Sequence, residues 1–154
     1  MSGEYITTGF RNTTVGRLAG GNIATGSYNI MLGYNAEPSG TAVGQCVLGD
    51  SNIATLRCNT QSISSLSDRR DKTDIVDLPV GLDFINTLQP RKFKWETREG
   101  NIKDGLTRTG FIAQEVKESQ KESEYLDLVF DENPEVLEVK QTNLIPILVQ
   151  AIKD

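Results

Sequence analysis

A candidate nucleophile and a candidate base lie close together near the middle of this sequence. Ser67 is followed five positions later by Lys72, in the run Leu66-Ser67-Asp68-Arg69-Arg70-Asp71-Lys72. A serine hydroxyl is a weak nucleophile until a base takes its proton. The chain has no histidine, so Ser-His-Asp and Cys-His chemistry and histidine-ligated zinc are excluded. Lysine is then the natural base, and Ser-Lys pairs are a known variant of triad logic. The amine must be neutral to accept a proton. Burial and the positive charges of Arg69 and Arg70 favour that form, and the carboxylates of Asp68 and Asp71 oppose it. The spacing alone proves little and favours a plainer reading: Ser67 or Asp68 caps a helix, and Arg69–Lys72 is a solvated charged run. A full capping box is absent, because Arg70 stands where Glu or Gln is needed.

Other candidate groups carry less. Asp68, Asp71, Asp74 and Asp77 form an acidic ladder, but it lacks the alternation and central glycine of a calcium-binding loop. It reads as surface charge, and no metal or cofactor is expected. Cys46 and Cys58 are too few for a disulfide framework. One bridge or none is open to them, and two small buried thiols are expected. Tyr5, Tyr28 and Tyr34 suit sugar stacking or strand packing.

The elements that must position these residues differ sharply between the two halves. The chain has 154 residues, 16 Lys+Arg and 21 Asp+Glu, for a net charge of −5. Residues 1–66 hold ten of the 14 glycines but only three basic residues (Arg11, Arg17, Arg57) and three acidic ones (Glu4, Glu37, Asp50). The whole net charge therefore falls in residues 67–154. The acidic balance opposes a nucleic-acid partner, which requires a basic face. Apolar runs such as Leu144–Val149 fall short of the roughly 20 residues of a membrane span. No signal peptide is expected at its start, and no membrane insertion is expected.

Residues 1–66 repeat a small-aliphatic-Gly unit: Thr14-Val15-Gly16, Met31-Leu32-Gly33, Ala42-Val43-Gly44 and Val47-Leu48-Gly49. Asn-Ile-Ala-Thr occurs at 22–25 and again at 52–55. Short apolar pairs between Gly, Asn, Ser and Thr predict short strands and tight turns. So few large apolar residues cannot bury enough surface alone, so stacking on neighbours is expected, with other copies of the chain as those neighbours. A flexible Gly-rich linker is the plainer alternative.

Residues 67–154 predict a compact α+β unit. Leu82, Ile85 and Leu88 mark a short helix before Pro90. Lys92–Glu96 alternates, which places Phe93 and Trp95 on one strand face in the core. A helix is expected through Gln114–Ser119. Strands are expected at Leu126–Phe130 and Val136–Val139, around a turn at Glu132-Asn133-Pro134. A final helix starts near Asn143, with Pro146 tolerated in its first turn. Its apolar stripe is unfinished at Asp154, so the helix is expected to continue or to pack against other chains.

The motif Ser67-Asp68-Arg69-Arg70-Asp71-Lys72 occurs in order with Leu82–Leu88, Gln89-Pro90, Phe93-Lys94-Trp95, Gly110–Val116 and Asn143–Lys153. This set resembles the intramolecular chaperone auto-processing domain at the C-terminus of phage tail fibres, tail spikes and endosialidases. The Gly-rich half resembles the trimeric fibre segments that precede it. The resemblance implies an all-β, intertwined trimeric fibre segment at 1–66 and an α+β homotrimeric chaperone domain at 67–154. It implies that the domain templates folding of the upstream fibre of the same chain and then cleaves itself off, as a single-turnover serine peptidase. Ser67 becomes the nucleophile, Lys72 the general base and Leu66–Ser67 the scissile bond. The implied location is the virion, after assembly in the host cytoplasm, with a host receptor or glycan as a further partner. An uncleaved fibre tip is the alternative. The sequence departs from the family pattern at Gln141, where an aromatic is usual before the last helix; the long coiled-coil tail into which family members often continue is not among these 154 residues.

Overall fold

A computed structural model of the chain describes residues 1–39, 42–60, 62–96 and 105–154. Contacts divide the chain into two units. One comprises Met1–Ala54, Lys92–Gly110 and Phe130–Glu138; the other comprises Thr55–Arg91, Phe111–Val129 and Val139–Asp154.

The glycine-rich repeat of the first unit builds a stack of coils. Strands β1 (Thr13–Val15), β2 (Ile30–Leu32) and β3 (Cys46–Leu48) pair in parallel, in the order β1-β2-β3. Thr13 is level with Ile30 and Ile30 with Cys46, so equivalent repeat positions lie side by side. Parallel neighbours need a crossover of about a dozen residues or more, and each repeat supplies one as a turn-rich coil. Three of the four aliphatic-Gly units end these strands; Ala42-Val43-Gly44 lies in the turn before β3. Within each strand only the central residue points inward. Met31 is fully buried and packs with Ala19, Ile23, Ala36, Ile6 and Val47. The repeats thus make a small core by stacking on one another within the chain.

Two further ladders run through the stack. Asn29, also fully buried, is tied to the coils on either side. Its amide N–H and its Nδ2 donate to Asn12 Oδ1 at 3.0 and 3.1 Å, and its Oδ1 accepts from the Gln45 amide at 2.9 Å. Glycine is required where the coils meet: a Cβ on Gly16, at φ +124°, would lie 2.4 Å from the Gly33 carbonyl oxygen. Outside the stack, Arg11 lies over Tyr28 and Arg17 over Tyr34, a cation–π arrangement that holds these half-exposed rings in packing contacts.

Two expectations from the sequence are corrected. Cys46 and Cys58 are free and exposed rather than buried. In β3 only Val47 is inward, so strand alternation turns Cys46 outward; Cys58 lies in an exposed segment. Trp95 is 54% exposed rather than core. Strand β4 (Arg91–Lys94), which pairs with β5 (Thr107–Gly110), ends before it, and its ring rests edge-on against half-buried Phe93 at 5.5 Å.

Among its described residues the second unit holds three α-helices: α1 (Leu82–Ile85), α2 (Ala113–Ser119) and α3 (Leu144–Lys153). Phe84, Val116, Leu144 and Ile147 on these helices are buried, as are Leu88 and Leu126. Pro146 sits in the first turn of α3, where its missing N–H has no intrahelical partner to lose. Helix α3 packs on α1, and the Asp154 carboxylate accepts the Leu82 amide at 2.9 Å. Arg91 forks onto Glu115 of α2 at 2.9 and 2.7 Å, so Glu115 holds local structure. The pair of strands expected near Pro134 exists but is short: β6 (Val129–Phe130) beside β7 (Glu138–Val139).

Candidate functional site

The site is built by a single turn. Residues 62–68 are without helix or strand and are exposed, with Leu66 95% accessible. At Asp68 the chain enters a 3-10 turn, Arg69–Asp71. Asp68 is the N-cap: its Oδ1 accepts the Arg70 amide at 2.8 Å, which satisfies a donor that the turn leaves without a backbone acceptor. The turn closes through Asp71 N–H to Asp68 C=O at 3.1 Å and Lys72 N–H to Arg69 C=O at 3.2 Å. Lys72 then resumes an extended backbone. The reversal returns its side chain to the start of the turn, where Nζ donates to Ser67 Oγ at 2.6 Å.

Asp68 caps a turn, and the same turn joins Ser67 to Lys72. In its neutral form an amine at this distance can take the hydroxyl proton directly, since general bases work at hydrogen-bond reach. The bond before Ser67 lies in exposed chain.

The sequence did not single out a fork at the centre of the turn. Arg70 Nε donates to Asp68 Oδ1 at 3.0 Å and Nη2 to Oδ2 at 2.7 Å. The Asp68 carboxyl is held below its usual range, first by the Arg70 side-chain hydrogen bonds and then by the Arg70 amide. Asp68 and Arg70 stand two residues apart, and only the turn makes that spacing productive. Asp71, Asp74 and Asp77 are exposed, and the described residues contain no cluster of ligating side chains suited to a metal. No helix of the described residues is long and apolar enough to cross a membrane.

Residues 67–123 match the family model Peptidase_S74, described as chaperone of endosialidase. The matched stretch begins at Ser67 and contains the turn, α1, α2 and the strands β4 and β5. It leaves α3 and residues 1–66 outside. The resemblance carried by the Ser67–Lys72 motif and the segments up to Val116 is therefore matched by the family model. No curated protein and no solved structure matches the chain.

Proposed function

We propose that this chain is the C-terminal part of a phage tail fibre or spike whose chaperone domain drives trimerisation and folding, and then cleaves itself off between Leu66 and Ser67. Ser67 is the nucleophile and Lys72 its general base. The observation that carries this reading is the 2.6 Å contact between their side chains, at the residue where the chaperone-of-endosialidase match begins.

The chemistry follows from position. Attack of Ser67 Oγ on the Leu66 carbonyl carbon forms a C–O bond, and Lys72 takes the hydroxyl proton. Return of that proton to the Ser67 nitrogen breaks the C–N bond and leaves an ester. Water hydrolyses the ester to the Leu66 carboxylate and regenerates the hydroxyl. Holding the reacting atoms in one short segment supplies part of the roughly 7–11 kcal/mol that proximity can contribute.

Assembly gives this reaction its timing. In the single chain both side chains are exposed to water. Burial among three copies favours the neutral amine. Cleavage then follows trimerisation, when the fibre segments are held in register at high effective concentration. Pairing between chains is slow because its contacts are non-local. Once it is complete the template is dispensable, and its release leaves a fibre whose stability is kinetic.

Intact-mass measurement of the purified full chain, beside Ser67→Ala and Lys72→Ala, tests the proposal. Fragments 1–66 and 67–154 are expected from the wild type alone. Undiminished processing in both variants removes the dyad. A wild-type chain that stays whole as a folded trimer favours the second reading, an uncleaved fibre tip that binds a host receptor; the exposure of both dyad side chains is the observation on its side.

A further inference from the structure

We infer that Arg70 is a positioning residue for the Ser67–Lys72 pair: by engaging both oxygens of Asp68 it keeps that carboxylate from pairing with the lysine amine. This rests on the reading of Lys72 as the base.

The argument is one of competition. Asp68 must stay in place, since it caps the turn that brings Lys72 to Ser67. It also sets a negative charge four residues before the amine that has to lose its proton. Left free, that carboxylate would pair with the ammonium and hold it charged. Arg70 removes the conflict. Its Nε, Nη2 and backbone N–H make three donors to Asp68, at 3.0, 2.7 and 2.8 Å. Charge-assisted, two-pronged contacts of this kind outcompete a single ammonium contact.

The Lys72 amine is accordingly directed to the Ser67 hydroxyl, and among the described residues it pairs with no carboxylate. The charged residues within four positions of it in the sequence are Asp68, Arg69, Arg70, Asp71 and Asp74. Arg70 itself is 87% exposed on its side chain and contributes to no core, so its replacement leaves the fold intact.

The test uses the full chain in a Ser67→Ala background, which cannot process itself. Lysine side chains are labelled with 13C, and the Lys72 Cε signal, assigned by its loss in Lys72→Arg, is followed against pH. Adding Arg70→Met is expected to raise the Lys72 midpoint by roughly half to one pH unit, the size of a close ion pair in water. Adding Asp68→Asn to Arg70→Met is expected to return it to the parent value, because the competing carboxylate is gone. A midpoint that Arg70→Met leaves unmoved overturns the inference, as does a rise that persists in the triple variant. The titration needs no cleavage, so its result stands apart from the mass measurement that tests the dyad.

Discussion

The Lys72 amine meets the Ser67 hydroxyl at 2.6 Å because one 3-10 turn, capped by Asp68, folds the five-residue interval back on itself. A contact of this kind has two possible meanings, a proton path or a structural tie, and Lys72→Arg separates them. Arginine can still donate a hydrogen bond to Ser67 but does not give up its proton. If Lys72 is the base, Lys72→Arg should slow release of residues 67–154 by about 100-fold or more, the usual worth of a general base. A gel time course of the full chain measures this, and near wild-type processing by the arginine variant would show that the lysine acts only as a tie.

The Arg91–Glu115 fork makes a prediction about acid. Hydrogen bonding to Arg91, offset in part by desolvation, holds the Glu115 carboxyl below its ordinary value. A group lowered in this way contributes stability above its unfolded value and loses it as pH falls through the folded one. The full-length Ser67→Ala chain should therefore lose thermal stability across the carboxylate range. Arg91→Met should lower the unfolding midpoint at neutral pH and flatten that acid dependence, while Asp68 and Asp154, lowered by their own partners, preserve the rest. Equal losses in parent and variant from neutral to acid pH would show that the fork contributes nothing.

Glycines in the coil stack divide into those the packing requires and those it does not. Gly16 needs both an unusual backbone, at φ +124°, and empty space against the Gly33 carbonyl. Gly44, at φ +68°, has nothing within 4 Å of where a Cβ would lie. Gly16→Ala should cost more than the roughly 1–3 kcal/mol of backbone strain alone, because rigid backbone must also move. Gly44→Asn should be nearly neutral, since asparagine tolerates the left-handed region. Urea unfolding of the two variants provides the comparison, and equal losses would mean that the coils do not stack through Gly16.

What the sequence disclosed was what short intervals encode. The Ser67–Lys72 pairing, the helix through Ser119 and the proline-tolerant start of α3 are local, and each has a chemical signature a few residues wide. The repeat exposed Val15, Leu32 and Leu48 as equivalents, and the β1-β2-β3 register aligns them. Burial was harder to read. Cysteine and tryptophan are inward by habit, yet Cys46 occupies an outward strand position and Trp95 follows the end of β4. The Arg91–Glu115 fork and the Asp154 cap on α1 join residues far apart in sequence, so no spacing announces them. The Asp68–Arg70 fork was hidden for a different reason: the sequence shows both charges, but not which of several neighbours each one faces.

Helix α3 offers the sharpest check on assembly, because its two faces have separate tasks. Ile147, 1% exposed, and Leu144 hold it inside its own unit, whereas Leu148, Val149 and Ile152 (85% exposed) point away from that core. Each large aliphatic side chain gains about 1.5–3 kcal/mol on full burial, so covering several of them with other copies would favour trimers appreciably. On the proposal that the chain trimerises, Leu148→Ser combined with Ile152→Ser should shift the sedimentation profile of the Ser67→Ala chain from trimer toward monomer and leave its helical circular dichroism unchanged. Ile147→Ala should do the reverse, costing about 2–5 kcal/mol of folding stability without removing any outward contact. A trimer that survives the double serine variant at low micromolar concentration would place the contacts between copies elsewhere in the chain.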